Sequence, residues 1–242
     1  MNRAFRKLLI PTLALLIWAA LTTGVKACAV CVPYPTKTAA DYLLNSDTVV
    51  LARENPDRPW TYISVETLKG EAGPIPIDHF VNSSTRRRLA LHPDRAVLLV
   101  RDRKSESGCR SLGIAEEGYE EMIREITREA ANWKGSDRSG RARTNFFAGY
   151  LGHENRSVHE LAYLEVGRAP YEQIRELESN WSLEAIRALL RDSWYLEWRP
   201  LAILLLAING TPQDHDYIAR KFTERAQAGM TMNLSAWATA LV

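Results

Sequence analysis

The apolar positions along the chain change period partway through, and that change divides it. Asp47–Arg53 is a β-branched, apolar stretch. The turn signal Asn55-Pro56-Asp57-Arg58-Pro59 follows it, and then a segment over 60–69 with Thr61, Ile63, Val65 and Thr67 on one side. Residues 70–74 break this segment. Ile75, Ile77, His79 and Val81 share a further strand face, and 96–100 (Ala-Val-Leu-Leu-Val) reads as a buried strand. Thr38 to Asn45 fits a short helix. Short strands separated by turns predict a barrel or sandwich over 28–113.

From 114 to 134 the period becomes helical. Tyr119, Met122, Ile123, Ile126, Ala130 and Trp133 lie on one face, opposite Glu121, Arg124, Glu125 and Arg128. Residues 135–143 read as an exposed linker with Ala142 as the sole apolar residue. Beyond it, 144–242 reads as helices that repeat. Val158, Leu161, Ala162 and Leu164 match Trp198, Leu201, Ala202 and Leu204 at a shift of 40, and Leu241 and Val242 continue the series. Turns at Ala169-Pro170 and Asn209-Gly210-Thr211-Pro212 close each unit. A helix-pair period near 40 predicts a HEAT-like solenoid, which commonly binds proteins in its concave face. Trp181, Trp194 and Trp198 are assigned to the repeat core, with a binding groove on the concave face as the other reading. The last apolar stretch, 237–242, has no polar cap, so a truncated repeat or a docked terminus is expected. The fold class expected is thus mixed β then α, with a β-barrel followed by an α-helical HEAT-like solenoid.

The N-terminus reads as an address. Arg3, Arg6 and Lys7 precede an apolar run from Leu8 to Leu21, and Val25-Lys26-Ala27 suits cleavage before Cys28. Residues 1–27 are therefore expected to be a signal peptide. Export to a periplasmic, cell-envelope or secreted space follows. A retained N-terminal anchor is the other option. A lipid on Cys28 is a variant of the first case, although Lys26 departs from the lipoprotein pattern. Charge supports this division. The 242 residues carry a formal net charge of +2, from 31 Lys and Arg and 29 Asp and Glu. Four of those cations and no acids lie within 1–27. The remainder is mildly acidic, which argues against a general nucleic-acid binder.

The three cysteines are Cys28, Cys31 and Cys109. In an oxidising compartment Cys31 and Cys109 can pair, with Cys28 as the alternative partner of Cys109. A redox role for Cys28-x-x-Cys31 is disfavoured, because Val32-Pro33-Tyr34-Pro35 cannot begin a helix cleanly.

Cys28 and Cys31 with the following Pro-containing stretch, 45–53, the 62–70 stretch ending in Lys69-Gly70, the 96–100 stretch and Cys109 together resemble the netrin-like domain of tissue inhibitors of metalloproteases. The resemblance implies a five-stranded OB-like barrel. It also implies that Cys28, as the mature N-terminus, could chelate a protease zinc. The family spaces its first cysteines one residue apart and gives them two partners. This chain has two intervening residues and one further cysteine.

Catalytic constellations are missing. His159-Glu160-Leu161-Ala162-Tyr163 begins like a zinc-protease helix but has Tyr163 where the second His belongs, leaving His159 as a solvated helix residue. A site of His153, His159 and Glu160 is disfavoured, and Asp214-His215-Asp216 reads as a helix start. No cofactor or metal is expected. Arg86-Arg87-Arg88, with Arg101 and Arg103, reads as a solvated loop that could meet phosphates or a partner's acids. Asn82, Asn155, Asn180, Asn209 and Asn233 fit the glycosylation pattern, but as caps or turns at Asn155, Asn180 and Asn209 they need no sugar. The function expected is that of an exported non-enzymatic binding or scaffold protein, with a protein partner on the helical repeats. A metalloprotease-inhibitor-like protein acting through Cys28 is the alternative, and a thiol- or metal-dependent enzyme a more distant one.

Overall fold

The structure is a computed structural model that describes residues 35, 37–71, 79–102, 108–133, 137–177, 181–191, 196 and 198–242. These fall into two compact units that divide between Ala188 and Leu189.

The first unit begins with helix α1 (Ala39–Asn45), which has a reciprocal cap at its start. The Thr38 hydroxyl accepts from the Asp41 amide, and the Asp41 carboxylate accepts from the Thr38 amide at 3.0 Å. At its other end the Lys69 ammonium donates to the carbonyls of Leu43 and Leu44, both at 2.9 Å. A cation there satisfies carbonyls that the helix leaves open. Lys69 ends strand β2 (Tyr62–Lys69), which pairs antiparallel with β1 (Thr48–Glu54). The residue after it must be glycine. Gly70 has φ +80°, and a Cβ there would lie 2.2 Å from the Asp47 carbonyl oxygen. The Lys-Gly pair thus serves α1 and the chain crossing at Asp47.

Helix α2 (Ser83–Leu91) is capped by Asn82, whose Oδ1 accepts from the Thr85 amide at 2.9 Å. Strand β3 (Ala96–Arg101) and strand β4 (Cys109–Ala115) complete a sheet of order β2-β1-β3-β4, with every neighbour antiparallel. The two central strands are buried over 48–52 and 96–100, so they read as continuous apolar runs. On one face Val50, Ala52, Tyr62, Val97, Leu99 and Ile114 form a core with Val81 and Leu89. Helix α3 (Tyr119–Glu129) packs on α1 and β2, and Arg124 reaches Glu66 of β2 at 2.5 and 2.7 Å.

Helices α4 (Asp137–Ala148), α5 (Arg156–Gly167) and α6 (Tyr171–Arg175) follow, with α4 packed on α5. Arg143 of α4 lies 2.8 Å from both Asp41 Oδ1 and Glu165 Oε2. Arg168, just past α5, reaches Asp41 Oδ1 at 2.8 Å and Glu165 Oε2 at 3.2 Å. The Thr38 hydroxyl donates to Glu165 Oε1. Two acids and two arginines thus close a largely buried ring that ties α1 to α4 and α5. Helix α7 (Leu183–Arg191) spans the division between the units.

In the second unit α8 (Arg199–Asn209) is buried from Pro200 to Leu206 and packs on α9 (Pro212–Gln227) and α10 (Leu234–Thr239). Apolar on every side, α8 can only be an interior helix. Pro212 and the Thr211–Asp214 capping box start α9.

The expected five-stranded OB-like barrel is not formed. The described sheet has four strands and is open. Alternating apolar runs specify strands with one or two covered faces, and here helices cover them. No HEAT-like array of helix pairs is identified among the described residues either. The helices that carry the 40-residue match, α5 and α8, belong to different units. Their following helices, α6 and α9, have 5 and 16 residues. Leu241, which would continue the series, is 46% exposed. The matched positions share burial, which any interior helix requires. Nor is 135–143 a linker, because α4 occupies it from Asp137 and places Arg143 in the buried ring. The strand expected at Ile75 and Ile77 lies outside the described residues.

Burial alone would raise the Asp41 carboxyl's pKa, but hydrogen bonds from Arg168, the Thr38 amide and Arg143 hold it well below the usual range. A folded-state value below the unfolded one, about 3.9, gives stability that is complete above that pH and lost on acidification. Denaturant unfolding should therefore show wild type losing about 2 kcal/mol more than Asp41→Asn between about pH 5 and pH 2. Parallel slopes for the two proteins would refute this.

Candidate functional site: an arginine–aromatic ledge

The loop from β1 to β2 is built on the Asn55–Pro59 turn. Asn55 Oδ1 accepts from the Asp57 amide at 3.0 Å, and the Arg58 carbonyl accepts from the Thr61 amide at 3.2 Å and its hydroxyl at 2.6 Å. This leaves Trp60 with φ +69°, a conformation that few bulky residues adopt. Glu54 holds it there. Its Oε1 accepts from the Trp60 amide at 2.9 Å, and its Oε2 accepts from Arg86 Nε at 2.9 Å. The Arg86 guanidinium lies 4.3 Å from the centre of the indole ring. Phe80 stacks on Trp60 with ring centroids 5.4 Å apart and planes 6° from parallel. The Val81 amide donates to the Trp60 carbonyl at 2.9 Å, fixing the two segments together.

The result is a surface ledge made from β1, the hairpin loop, α2 and the residue before Val81. Trp60 is 37% exposed and Phe80 60% exposed. Tyr62, two residues after Trp60, is buried and stacks on His79 with ring centroids 5.7 Å apart. Burial, with Cys109 and Glu54 nearby, raises the Tyr62 hydroxyl's pKa. The ledge can offer apolar aromatic area and one guanidinium to a partner surface.

A concavity of about 150 Å³ lies between α1 and the ends of β3 and β4. Its walls include Lys37, Tyr42, Asp102, Cys109 and Arg110. The Arg110 guanidinium sits 4.5 Å from the Tyr42 ring centre and the Lys37 ammonium 5.9 Å from it.

Other expected residues are dispersed. Cys28, Cys31, Arg103, Asn180 and Trp194 lie outside the described residues. Arg86, Arg87 and Arg88 lie on α2, where a loop was expected; Arg88 pairs with Glu116 at 3.2 Å. His159 is packed, contrary to the solvated position expected. It stacks on Tyr163 at 6.0 Å and meets the edge of Trp181 at 5.6 Å. That burial lowers its pKa. Asp214 caps α9, and Asn155 caps α5 through the amides of Ser157 and Val158. Trp181 and Trp198 are buried. Among the described residues no group of three His, Cys, Asp or Glu side chains is placed to hold a metal ion.

No family of known proteins matches the chain, and no curated protein or solved structure is significantly similar to it.

Sequence reasoning missed the ledge. Its one signal was a Trp directly after a strong turn between two strands, where a bulky aromatic has no core to enter. Because Trp60 and Phe80 stand outside the core, Trp60→Gly or Phe80→Ala should change unfolding free energy by less than about 1 kcal/mol, whereas Tyr62→Ala should cost about 3 kcal/mol. Equal losses at all three positions, measured by denaturant titration, would make the ledge a structural element.

Proposed function

We propose that this chain is an exported, non-catalytic binding protein and that the Arg86–Trp60–Phe80 ledge is its contact surface for a partner protein. The observation that carries this reading is the exposed Trp60–Phe80 stack, held in a disfavoured backbone conformation by Glu54. Nothing in the folding of the core calls for two large aromatics in water. Rigid Trp side chains with an adjacent arginine are the composition of interface hot spots, and fixing their rotamers beforehand lowers the entropy cost of binding. The partner surface thus moves from the expected helical repeats to the β1–β2 loop.

Export rests on the basic, apolar and cleavage-like pattern of residues 1–27, and the cysteines fit it. Cys109 shares its concavity with Lys37, six residues after Cys31. That closeness in sequence supports the pairing of Cys31 with Cys109, with Cys28 as the alternative. Pairing removes two protons and two electrons, which a disulfide-donating oxidant of the export compartment would accept.

Tagged chain recovered from its own host's envelope fraction tests both elements. Wild type should retain a partner that Trp60→Ala/Phe80→Ala loses by about tenfold or more, and the Cys109 peptide should be recovered linked to the Cys31 peptide before reduction. Retention unchanged in the double variant, or turnover of a substrate with no stable partner, would overturn the binding reading. An alkylatable Cys109 in the unreduced protein would overturn the pairing.

A further inference from the structure

Helix α9 ends in a tight reversal. The Met230 amide donates to the Arg225 carbonyl at 2.9 Å, the Gly229 amide donates to the Ala226 carbonyl at 3.2 Å, and Gly229 has φ +65°. This is a Schellman motif, in which the residue after the glycine normally packs on an apolar residue of the last turn. Here the last turn supplies Glu224 and Arg225, and Met230 is left 48% exposed. Two residues on, Met232 is 55% exposed. A second left-handed residue, Asn233 at φ +58°, turns the chain into α10. The loop is braced from behind. Arg225 Nη1 donates to the Met232 carbonyl at 3.3 Å, its guanidinium lies 5.9 Å from the Trp237 ring centre, and Trp237 meets Tyr217 edge-on at 5.9 Å.

Two thioethers are therefore presented by a short loop with both ends turned and its base packed. In the last turns of α9 leading into the loop, Arg220, Lys221 and Arg225 stand against one acid, Glu224, which pairs with Arg220 and Lys221, and both of those charges lie over Tyr217. Apolar tips that follow a helix end of net positive charge match the boundary of an anionic bilayer, where the thioethers would enter the acyl edge and the cations would face the headgroups. We propose that the 228–233 loop docks the second unit on an anionic lipid surface by inserting Met230 and Met232. No helix among the described residues is long and apolar enough to cross a membrane, so such contact would be superficial. The inference is independent of the ledge.

Methionine oxidation reads the loop directly in the full chain. Hydrogen peroxide gives one oxygen atom to an accessible thioether and leaves as water. Met122, 0% exposed, serves as the internal control for folding. With vesicles of phosphatidylcholine containing phosphatidylglycerol, sulfoxide formation at Met230 and Met232 should slow by roughly threefold or more, and high salt should abolish the effect. Arg220→Glu/Lys221→Glu should lose the same protection, although its N-terminal segment is unchanged. Equal oxidation with and without vesicles, or equal protection by pure phosphatidylcholine, would overturn the proposal. Protection without lipid that grows with protein concentration would assign the loop to a contact between copies, and would overturn it too.

Discussion

Four charged side chains hold the first unit together. Asp41 and Glu165 face Arg143 and Arg168, with Thr38 donating to Glu165. Taking such charges out of water is costly, and mutual attraction offsets the cost only where each lone pair and proton finds a partner. Here the charges are equal in number, and Asp41 accepts from both arginines and from the Thr38 amide. The ring places α1 against α4 and α5. Helix α1 then receives Lys69 at its C-terminal carbonyls, which sets where β2 ends and why Gly70 follows. The β1–β2 pairing and the loop that exposes Trp60 are built on that placement.

The two units expose different chemistry. The first offers an aromatic pair clamped by one carboxylate, with its rotamers set before any partner arrives. The second exposes two thioethers on a short loop turned at both ends. Both features stand outside the cores. In each, the supporting residues are ordinary structural devices: a turn, a salt bridge, a cap. What marks them is the apolar area they hold in water.

Much of the local structure was legible. The strands over 48–54, 62–69 and 96–101, the helix over 119–129 and the short helix after Thr38 follow from apolar spacing and capping residues. Their assembly was not. Spacing says that Val50 and Leu99 are buried, but not whether the sheet closes. It says that Val158 and Leu201 are interior, but not that their helices belong to different units. Polar composition misled at 135–143, because Arg143 is polar and still enters a buried ion pair. Glu54, Trp60, Phe80 and Arg86 are scattered over 33 residues and share no motif, so only the fold brings them together.

If the charged ring organises the first unit, its members must be energetically coupled, beyond simply lying close. The direct measurement is a double-mutant cycle on unfolding free energy with Asp41→Asn, Arg168→Met and both together. Coupling of about 2 kcal/mol or more is predicted, with the double variant far less destabilised than the sum of the single ones. Additivity within about 0.5 kcal/mol would contradict the claim and reduce the ring to a set of neighbouring charges.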